Sequence, residues 1–305
     1  MAASLHALIE QSIDYAGMFP PCSLDLDPAL KNQSSYVVSP EAWMLGAFIL
    51  PVAQFDAATQ SLSQFDRKHP LRVSALGPKT ETTDSFHTAF KETLEAIRQF
   101  SAEHADRVAI NQLEMPIPAD VDLNLLGEAR AALGQMQLNV FWETPVDTAE
   151  RTIALLAKHE SEKHARPFGY KLRTGGVTED AFPTSAQVAT ALVLATRQHV
   201  RMKFTAGLHH PICQFRDEVK TKMHGFLNVL GAAVLAAEHS WDEGQTSAML
   251  DDENPKSFSF DDILFAWRDW EIATDRIKAR RKFVTSFGSC SFDEPREDLR
   301  ALELL

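Results

Sequence analysis

Two lysines lie in short strand-like runs, where a charged side chain is unusual. Lys171 lies in Gly-Tyr-Lys-Leu-Arg-Thr-Gly-Gly, and Lys203 lies in Val-Arg-Met-Lys-Phe-Thr-Ala-Gly. A second cation nearby, together with partial burial, depresses the pKa of a lysine and frees its amine as a nucleophile at neutral pH. Such an amine forms a Schiff base with a carbonyl compound. The pair therefore predicts covalent catalysis on a carbonyl substrate.

Other polar side chains accompany the two lysines near the ends of predicted strands. The two-residue period of a strand turns Arg173 to the same side as Lys171, and Thr205 to the same side as Lys203. Carboxylates that could balance the charge and transfer protons are Asp14, Glu114 and Glu143. A structural salt bridge between a strand-end lysine and Glu143 is the alternative interpretation.

Eight β-rich runs alternate with helical patterns along the chain. They cover residues 13–19, 46–52, 71–76, 107–114, 138–143, 169–173, 201–205 and 283–286. Helical patterns occupy the gaps, for example over residues 86–99, over 149–158 after Thr148 as N-cap, and after Ser185 as N-cap. Eight βαβ-like units favour a closed (β/α)8 TIM barrel of the α/β class, formed as one domain by residues 1–305. Active sites of such barrels lie at the carboxyl ends of the strands.

The segment 208–282 departs from this rhythm, because it is about twice the usual spacing between strands. It predicts an apolar helix near residues 223–237, an acidic loop at 251–253 and an aromatic, charged helix near 260–282 with Ser259 as N-cap. We expect an elaboration of the barrel between its seventh and eighth strands.

Composition excludes several classes of protein. The 305 residues are 45% hydrophobic and 24% charged, which excludes disordered and fibrous chains, and the net charge of −12 opposes wholesale nucleic-acid binding. Three cysteines without a CxxC pattern make neither a disulfide framework nor a zinc finger. The first residues lack a secretion-signal pattern, and the apolar run 226–237 is too short to span a bilayer. These features predict a cytoplasmic protein without a membrane partner.

Six short segments, in order, carry a resemblance over nearly the whole chain. They are Ile-Asp-Tyr-Ala-Gly-Met-Phe-Pro (13–20), Phe-Ile-Leu-Pro (48–51), Val-Phe-Trp-Glu-Thr (140–144), Tyr-Lys-Leu-Arg-Thr-Gly (170–175), Lys-Phe-Thr-Ala-Gly (203–207) and Phe-Gly-Ser-Cys-Ser (287–291). This set resembles the deoxyribose-phosphate aldolases, which are class I, Schiff-base aldolases on a (β/α)8 barrel. The resemblance implies a carbon–carbon lyase that uses no metal and no organic cofactor.

The resemblance also implies roles for individual residues. Lys171 matches the family's Schiff-base lysine, and Lys203 matches the second lysine that perturbs the first. Asp14 matches the aspartate of the opening strand. The matches in the substrate-binding loops are Thr174, Gly175, Gly207 and Ser291. Ser291 belongs to a turn with Gly288 and Ser289 whose backbone N–H groups, before a helix, could receive an anion.

Departures from the family's pattern point to a different substrate. Ala109 stands where alignment by eye has the family's catalytic aspartate, and Glu114 is the substitute a few residues on. Cys290 replaces a serine of the phosphate site, and Arg173 replaces a small residue. We therefore expect a small anionic carbonyl compound, a carboxylate or a phosphate ester, held bidentately by Arg173.

Two alternatives stay open at this stage. Glu143, His209, His210 and His224 could form the metal site of a barrel hydrolase or lyase, although adjacent histidines point to opposite sides. A substrate-contacting or proton-transferring role for His209 or His210 is favoured. The second alternative is a non-catalytic barrel that binds a metabolite or, through 208–282, a protein. The oligomeric state stays open, a homo-oligomer included.

Overall fold

Eight parallel strands form a closed barrel in the computed structural model, which describes residues 1–160 and 164–305. The barrel strands are β1 (Ile13–Tyr15), β2 (Leu45–Pro51), β3 (Leu71–Leu76), β4 (Val108–Pro116), β5 (Asn139–Glu143), β6 (Gly169–Arg173), β7 (Arg201–Thr205) and β13 (Val284–Ser289). Each strand pairs with the next along the chain, and β13 closes the ring between β7 and β1. The (β/α)8 prediction is confirmed.

Helices follow most of the barrel strands. The helices are α1 (Ala3–Ile9), α2 (Leu26–Tyr36), α3 (Phe55–Ala58), α4 (Thr83–Glu103), α5 (Leu123–Leu133), α6 (Ala149–His159), α7 (Ser185–Arg197), α8 (Phe226–His239), α9 (Glu243–Leu250), α10 (Thr274–Arg280) and α11 (Asp293–Ala301). None of the described helices is both long enough and apolar enough to cross a membrane.

Helix starts follow local hydrogen bonding. Before α7 the N-cap is Thr184, whose hydroxyl accepts from the Gln187 N–H, so the prediction of Ser185 as the cap is wrong by one residue. Thr148 precedes α6 as predicted, but its hydroxyl donates to the Pro145 carbonyl and makes no cap bond. In α4 the predicted apolar stripe, which includes Phe86 and Phe90, is buried against the barrel.

The hydrophobic core lies between the barrel and its helices. Trp142 on β5, for example, is fully buried and contacts the rings of Phe86 and Phe90 on α4 and of Phe168, with ring centroids 5.3–5.7 Å apart. Because successive side chains alternate across a strand, the neighbours of such outward residues point into the barrel. Polar side chains on the barrel strands can therefore point into the barrel interior, away from the hydrophobic core.

The enlarged segment between β7 and β13 is an elaboration of mixed structure. It contains the hairpin β8 (Gln214–Arg216) and β9 (Thr221–Met223), the helices α8 and α9, an antiparallel sheet and α10. The predicted apolar helix is present as α8, whose residues from Phe226 to Ala236 are all buried. The acidic stretch 251–253 lies after α9, outside any helix or strand.

The predicted helix over 260–282 is wrong for most of its length. Three strands occupy this region: β10 (Phe258–Phe260), β11 (Leu264–Trp267) and β12 (Trp270–Ala273), so Ser259 lies in a strand and caps no helix. The Asp261 carboxylate accepts from the N–H groups of Ile263 and Leu264, and Arg268 has a φ of 53°. These two tight turns are incompatible with a continuous helix. They connect the strands of an antiparallel sheet, on which the aromatic side chains pack.

Candidate active site

Lys171 and Lys203 lie side by side on neighbouring strands of the barrel. They are direct partners in the pairing of β6 with β7, and Glu143 is the partner of Lys171 on the other side, in β5. Lys171 Nζ lies 2.7 Å from Glu114 Oε2 and 2.9 Å from Glu143 Oε2. The predicted proximity of the two lysines is confirmed by this register.

Lys203 is the deeper of the two lysines and is fully buried. Its Nζ lies 2.5 Å from Asp14 Oδ2, 2.5 Å from Glu114 Oε1 and 3.0 Å from Gln112 Oε1. These contacts join β7 to β1 and β4 across the barrel. Lys203 therefore ties together strands that are not neighbours in the ring.

Glu114 is the carboxylate between the two ammonium groups. Burial by itself disfavours its ionised form, but Lys171 and Lys203 outweigh burial and lower the pKa of Glu114 to about 2. Burial likewise disfavours a charged Lys203, yet Asp14 and Glu114 reverse the effect and raise the pKa of Lys203. Both groups are thus held in their charged forms.

The two ammonium groups share a carboxylate, which the sequence did not predict. The sequence predicted two cations that face each other and depress a lysine pKa. Instead, Glu114 contacts both ammonium groups at 2.7 and 2.5 Å and screens one from the other. Glu114 and Glu143 are both in hydrogen-bond range of Lys171 Nζ, and a carboxylate at such a distance can exchange a proton with an amine.

Exposure rises toward the mouth, by which we mean the end of the barrel where the carboxyl ends of the strands meet. The exposed fraction of the side chain is 0% for Lys203, 4% for Lys171, 15% for Glu143 and 54% for Arg173. Arg173 Nε lies 3.3 Å from Glu143 Oε1. Lys171 is therefore the lysine nearer to an incoming small molecule.

Gln112 and Ser74 belong to the cluster although the sequence did not single them out. Gln112 Oε1 accepts from Lys203, and the Ser74 hydroxyl donates to Glu114 Oε1 at 2.5 Å. The two-residue period of β4, which places Gln112 on the same face as Glu114, was a usable signal. Ala109, the residue aligned with the family's catalytic aspartate, is exposed near the start of β4 and lies outside the cluster.

The residues at the carboxyl ends of β6 and β7 are hydrogen-bonded to each other and closely packed. The Thr174 N–H donates to the Thr205 carbonyl, and the Thr174 hydroxyl donates to the Ala206 carbonyl at 2.6 Å. A Cβ on Gly175 would lie 2.7 Å from the Gly207 Cα, and Gly207 has a φ of 76°. Gly175 and Gly207 need to be small because the two loops are in contact. This contact helps to fix the two strands that carry the lysines.

Two serine hydroxyls of the turn after β13 make hydrogen bonds within the turn and to the start of the next helix. The Ser289 hydroxyl donates to the Ser291 carbonyl, and the Ser291 hydroxyl accepts from the Glu294 N–H. Gly288 is the pairing partner of Asp14 in β1. The helix α11 then begins with Asp293 and Glu294 in its first turn. Two carboxylates at this helix start make it a poor receptor for an anion.

The two adjacent histidines are buried beside α11 and bind its carboxylates. His209 Nδ1 lies 3.2 Å from Glu294 Oε2, and His210 Nδ1 lies 2.6 Å from Asp298 Oδ2. These partners were not foreseen in the sequence, since α11 lies about 90 residues further along the chain.

The four residues of the metal alternative have separate partners. His224 Nε2 lies 2.8 Å from the Pro183 carbonyl, Glu143 contacts Lys171 and Arg173, and the other two histidines bind α11. Within residues 1–160 and 164–305, no group of three or more His, Cys, Asp or Glu side chains is arranged to hold a metal ion. The geometry does not gather the donor set that this alternative needs.

The fold and the site together define a (β/α)8 barrel with a buried lysine–carboxylate cluster below its mouth. No protein-family model matches the sequence, and no curated protein matches it. Among solved structures, the chain is similar to a tetrameric deoxyribose phosphate aldolase from Aeropyrum pernix, at 9% sequence identity and a TM-score of 0.48, over 99% of this chain and 98% of that chain. The strand order of the barrel itself defines the fold.

Proposed function

We propose that this protein is a class I, aldolase-type carbon–carbon lyase that forms a Schiff base between Lys171 and a small carbonyl compound. The observation that carries the proposal is the pair of carboxylates, Glu114 and Glu143, within 2.9 Å of the Lys171 ammonium group. The ordered segments that resemble the deoxyribose-phosphate aldolases agree with it. We also propose that residues 1–305 act as one barrel domain, without a nucleic-acid partner.

Lys171 is the nucleophile in this proposal because of its depth and partners. It is 4% exposed, whereas Lys203 is fully buried and held by Asp14 and Glu114. Removing Lys203 from its carboxylates would leave buried charges unpaired, at a cost of several kcal/mol. Lys203 is therefore a positioning residue: it fixes Glu114, which in turn orients Lys171.

The proton steps can be assigned to the neighbouring carboxylates. Glu143, the more exposed of the two, takes a proton from the Lys171 ammonium group, and the free amine attacks the carbonyl carbon. The protonated Glu143 then returns the proton to the carbinolamine oxygen, which leaves as water and yields the iminium ion. In the cleavage direction, a carboxylate accepts the proton of the substrate hydroxyl as the carbon–carbon bond breaks toward the iminium nitrogen.

The substrate of this proposal is a small anionic carbonyl compound held on the Arg173 side of the mouth. Arg173 is 54% exposed and keeps nitrogen atoms free for an anion beyond its contact with Glu143. The turn of residues 288–291 is the less favourable place, because Asp293 and Glu294 follow it. We therefore assign the anionic end of the substrate to Arg173 rather than to the turn of residues 288–291.

Reductive trapping tests the proposal directly. The protein is incubated with a panel of an unphosphorylated aldehyde, a keto acid and a phosphorylated aldehyde, each with borohydride. Trypsin then cuts after Lys and Arg, and a modified Lys171 blocks cleavage at that site. The expected product is a peptide of residues 164–173 that carries the reduced adduct.

Matched variants separate the active lysine from general lysine reactivity. Lys171→Met should abolish the adduct, while Lys91→Met, on the exposed face of α4, should leave it unchanged. An adduct on residues 202–216, which contain Lys203, would show that the wrong lysine was chosen. If no compound of the panel adds mass at residue 171 in folded protein, the Schiff-base proposal fails.

A further inference from the structure

Two cysteines meet at the mouth although 268 positions separate them. Cys22 follows β1 and Cys290 follows β13, and their Sγ atoms lie 2.9 Å apart. Cys22 is exposed, whereas Cys290 is 5% exposed. The third cysteine, Cys213, is buried in the elaboration, where its N–H donates to the Asn228 side chain. A disulfide bond has an S–S length of about 2.05 Å, so the two sulfur atoms have to approach by about 0.9 Å to bond.

We propose that Cys22 and Cys290 are an oxidation site, at which a disulfide reagent or a peroxide converts the thiol pair into an intramolecular disulfide across the mouth. This inference does not depend on the Schiff base. It rests on the proximity of the two sulfur atoms and on their difference in exposure.

The difference in exposure sets the order of the exchange. Burial, with the adjacent Cys22 thiol, raises the pKa of Cys290 to about 12, so Cys22 is the thiol that reacts first. The Cys22 thiolate attacks one sulfur of the reagent disulfide, a mixed disulfide forms, and one reagent thiolate leaves.

The second step closes the pair. Cys290 loses its proton to the reagent thiolate released in the first step, and its sulfur attacks Cys22 Sγ. The second reagent thiol leaves, so the protein is oxidised by two electrons and the reagent disulfide is reduced to two thiols. With hydrogen peroxide as oxidant, the Cys22 sulfenic acid forms first and water leaves in both steps.

The bond would tie the segment after β1 to the turn after β13. These two strands close the barrel, and the turn holds Ser289 and Ser291 beside the buried His209. A disulfide here restrains one side of the mouth. It should therefore change access to the interior without any contact to the lysine cluster.

Mass spectrometry under non-reducing conditions tests the pair, with oxidised glutathione as the probe. The folded, monodisperse protein should lose the mass of two hydrogen atoms, and its titratable thiols after denaturation should fall from three to one. Trypsin should release residues 1–31 joined to residues 283–296, and dithiothreitol should separate them.

Variants make the result specific to this pair. Cys213→Ser should still form the linked peptide, whereas Cys22→Ser should abolish it and keep the fold, because Cys22 is exposed. Cys290→Ala is the second test and should leave Cys22 as a stable mixed disulfide with glutathione. Three free thiols after exposure of the folded protein, a linkage through Cys213, or a linkage between two chains would each overturn the proposal.

Discussion

Lys171 and Lys203 are direct partners across the pairing of β6 with β7, and one carboxylate, that of Glu114, contacts both ammonium groups. Two like charges side by side in a barrel interior would repel each other at low dielectric. The carboxylate of Glu114 lies between them and attracts both. Oppositely charged groups therefore alternate from Asp14 through Lys203 and Glu114 to Lys171 near the mouth. Stability and the proposed chemistry thus depend on the same carboxylate.

Replacement of this shared carboxylate should be costly. Glu114→Gln keeps the shape of the side chain but leaves two buried ammonium groups without their common counter-charge. The expected loss in the free energy of unfolding is about 3–5 kcal/mol, measured by chemical denaturation with tryptophan fluorescence. Glu92→Gln, on the exposed face of α4, is the control and should change it by less than about 0.5 kcal/mol. Equal effects of the two substitutions would contradict the assigned role of Glu114.

Acid should weaken the protein through the same group. The folded-state pKa of Glu114 is about 2, below its ordinary value of 4.5, so the unfolded chain binds the proton more readily. The stabilisation is complete above about pH 4.5 and is lost as the pH falls toward 2, and this span corresponds to about 3 kcal/mol. Unfolding free energies of the protein and of Glu114→Gln, measured from pH 6 to pH 2, should therefore converge in acid. A constant difference across this range would exclude the linkage.

Gly46 should be intolerant of a side chain because it contacts the cluster. A Cβ at this position would lie within van der Waals overlap of Asp14 Oδ1, 2.1 Å away, and Asp14 cannot rotate aside since it binds Lys203 and the Ala47 N–H. We expect Gly46→Ala to cost about 1–3 kcal/mol in unfolding free energy.

Gly127 provides the matched control for that substitution. It lies within α5, and a Cβ there would meet no atom within 4 Å. Gly127→Ala should raise the unfolding free energy by about 0.5–1 kcal/mol, because alanine is the better helix former. If both alanine variants move the denaturation midpoint in the same direction, the clash with Asp14 is not the cause.

A single buried amide should hold the elaboration between β7 and β13 together. The Asn228 side chain accepts from the Cys213 N–H and donates to the carbonyls of Met249 and Asp252, at 2.7–2.9 Å. Asn228→Ala removes all three hydrogen bonds and takes this partner from the buried Cys213 N–H and the Asp252 carbonyl, while the Met249 carbonyl still accepts from the Asp252 N–H, so the unfolding free energy should fall by about 2 kcal/mol.

Hydrogen exchange can locate this effect. Amides of residues 208–252 should exchange faster in Asn228→Ala, whereas the exposed control Asn124→Ala should leave them unchanged. Uniformly faster exchange over the barrel strands, with no excess in this segment, would show that Asn228 supports the whole fold rather than the elaboration.

Local patterns were sufficient for much of the barrel. The strands at 71–76, 169–173 and 201–205 have the bounds that their sequence predicted, because a buried parallel strand is a short apolar run closed by turn residues. For the region 260–282 the same reasoning predicts one helix, whereas the structure has β-strands there followed by the short helix α10. Short aromatic runs are compatible with a helix or a strand. In this region the turns at Asp261 and Arg268 favour strands.

The sequence by itself determined that the barrel would carry two lysines on adjacent strands, with carboxylates on others. It could not determine that Glu114 rather than Ala109 meets both lysines, nor that Cys22 meets Cys290. Those contacts depend on the closure of the ring and on the register of each strand pair. A shift of one residue turns a side chain to the opposite face, so only the tertiary structure decides which charges meet.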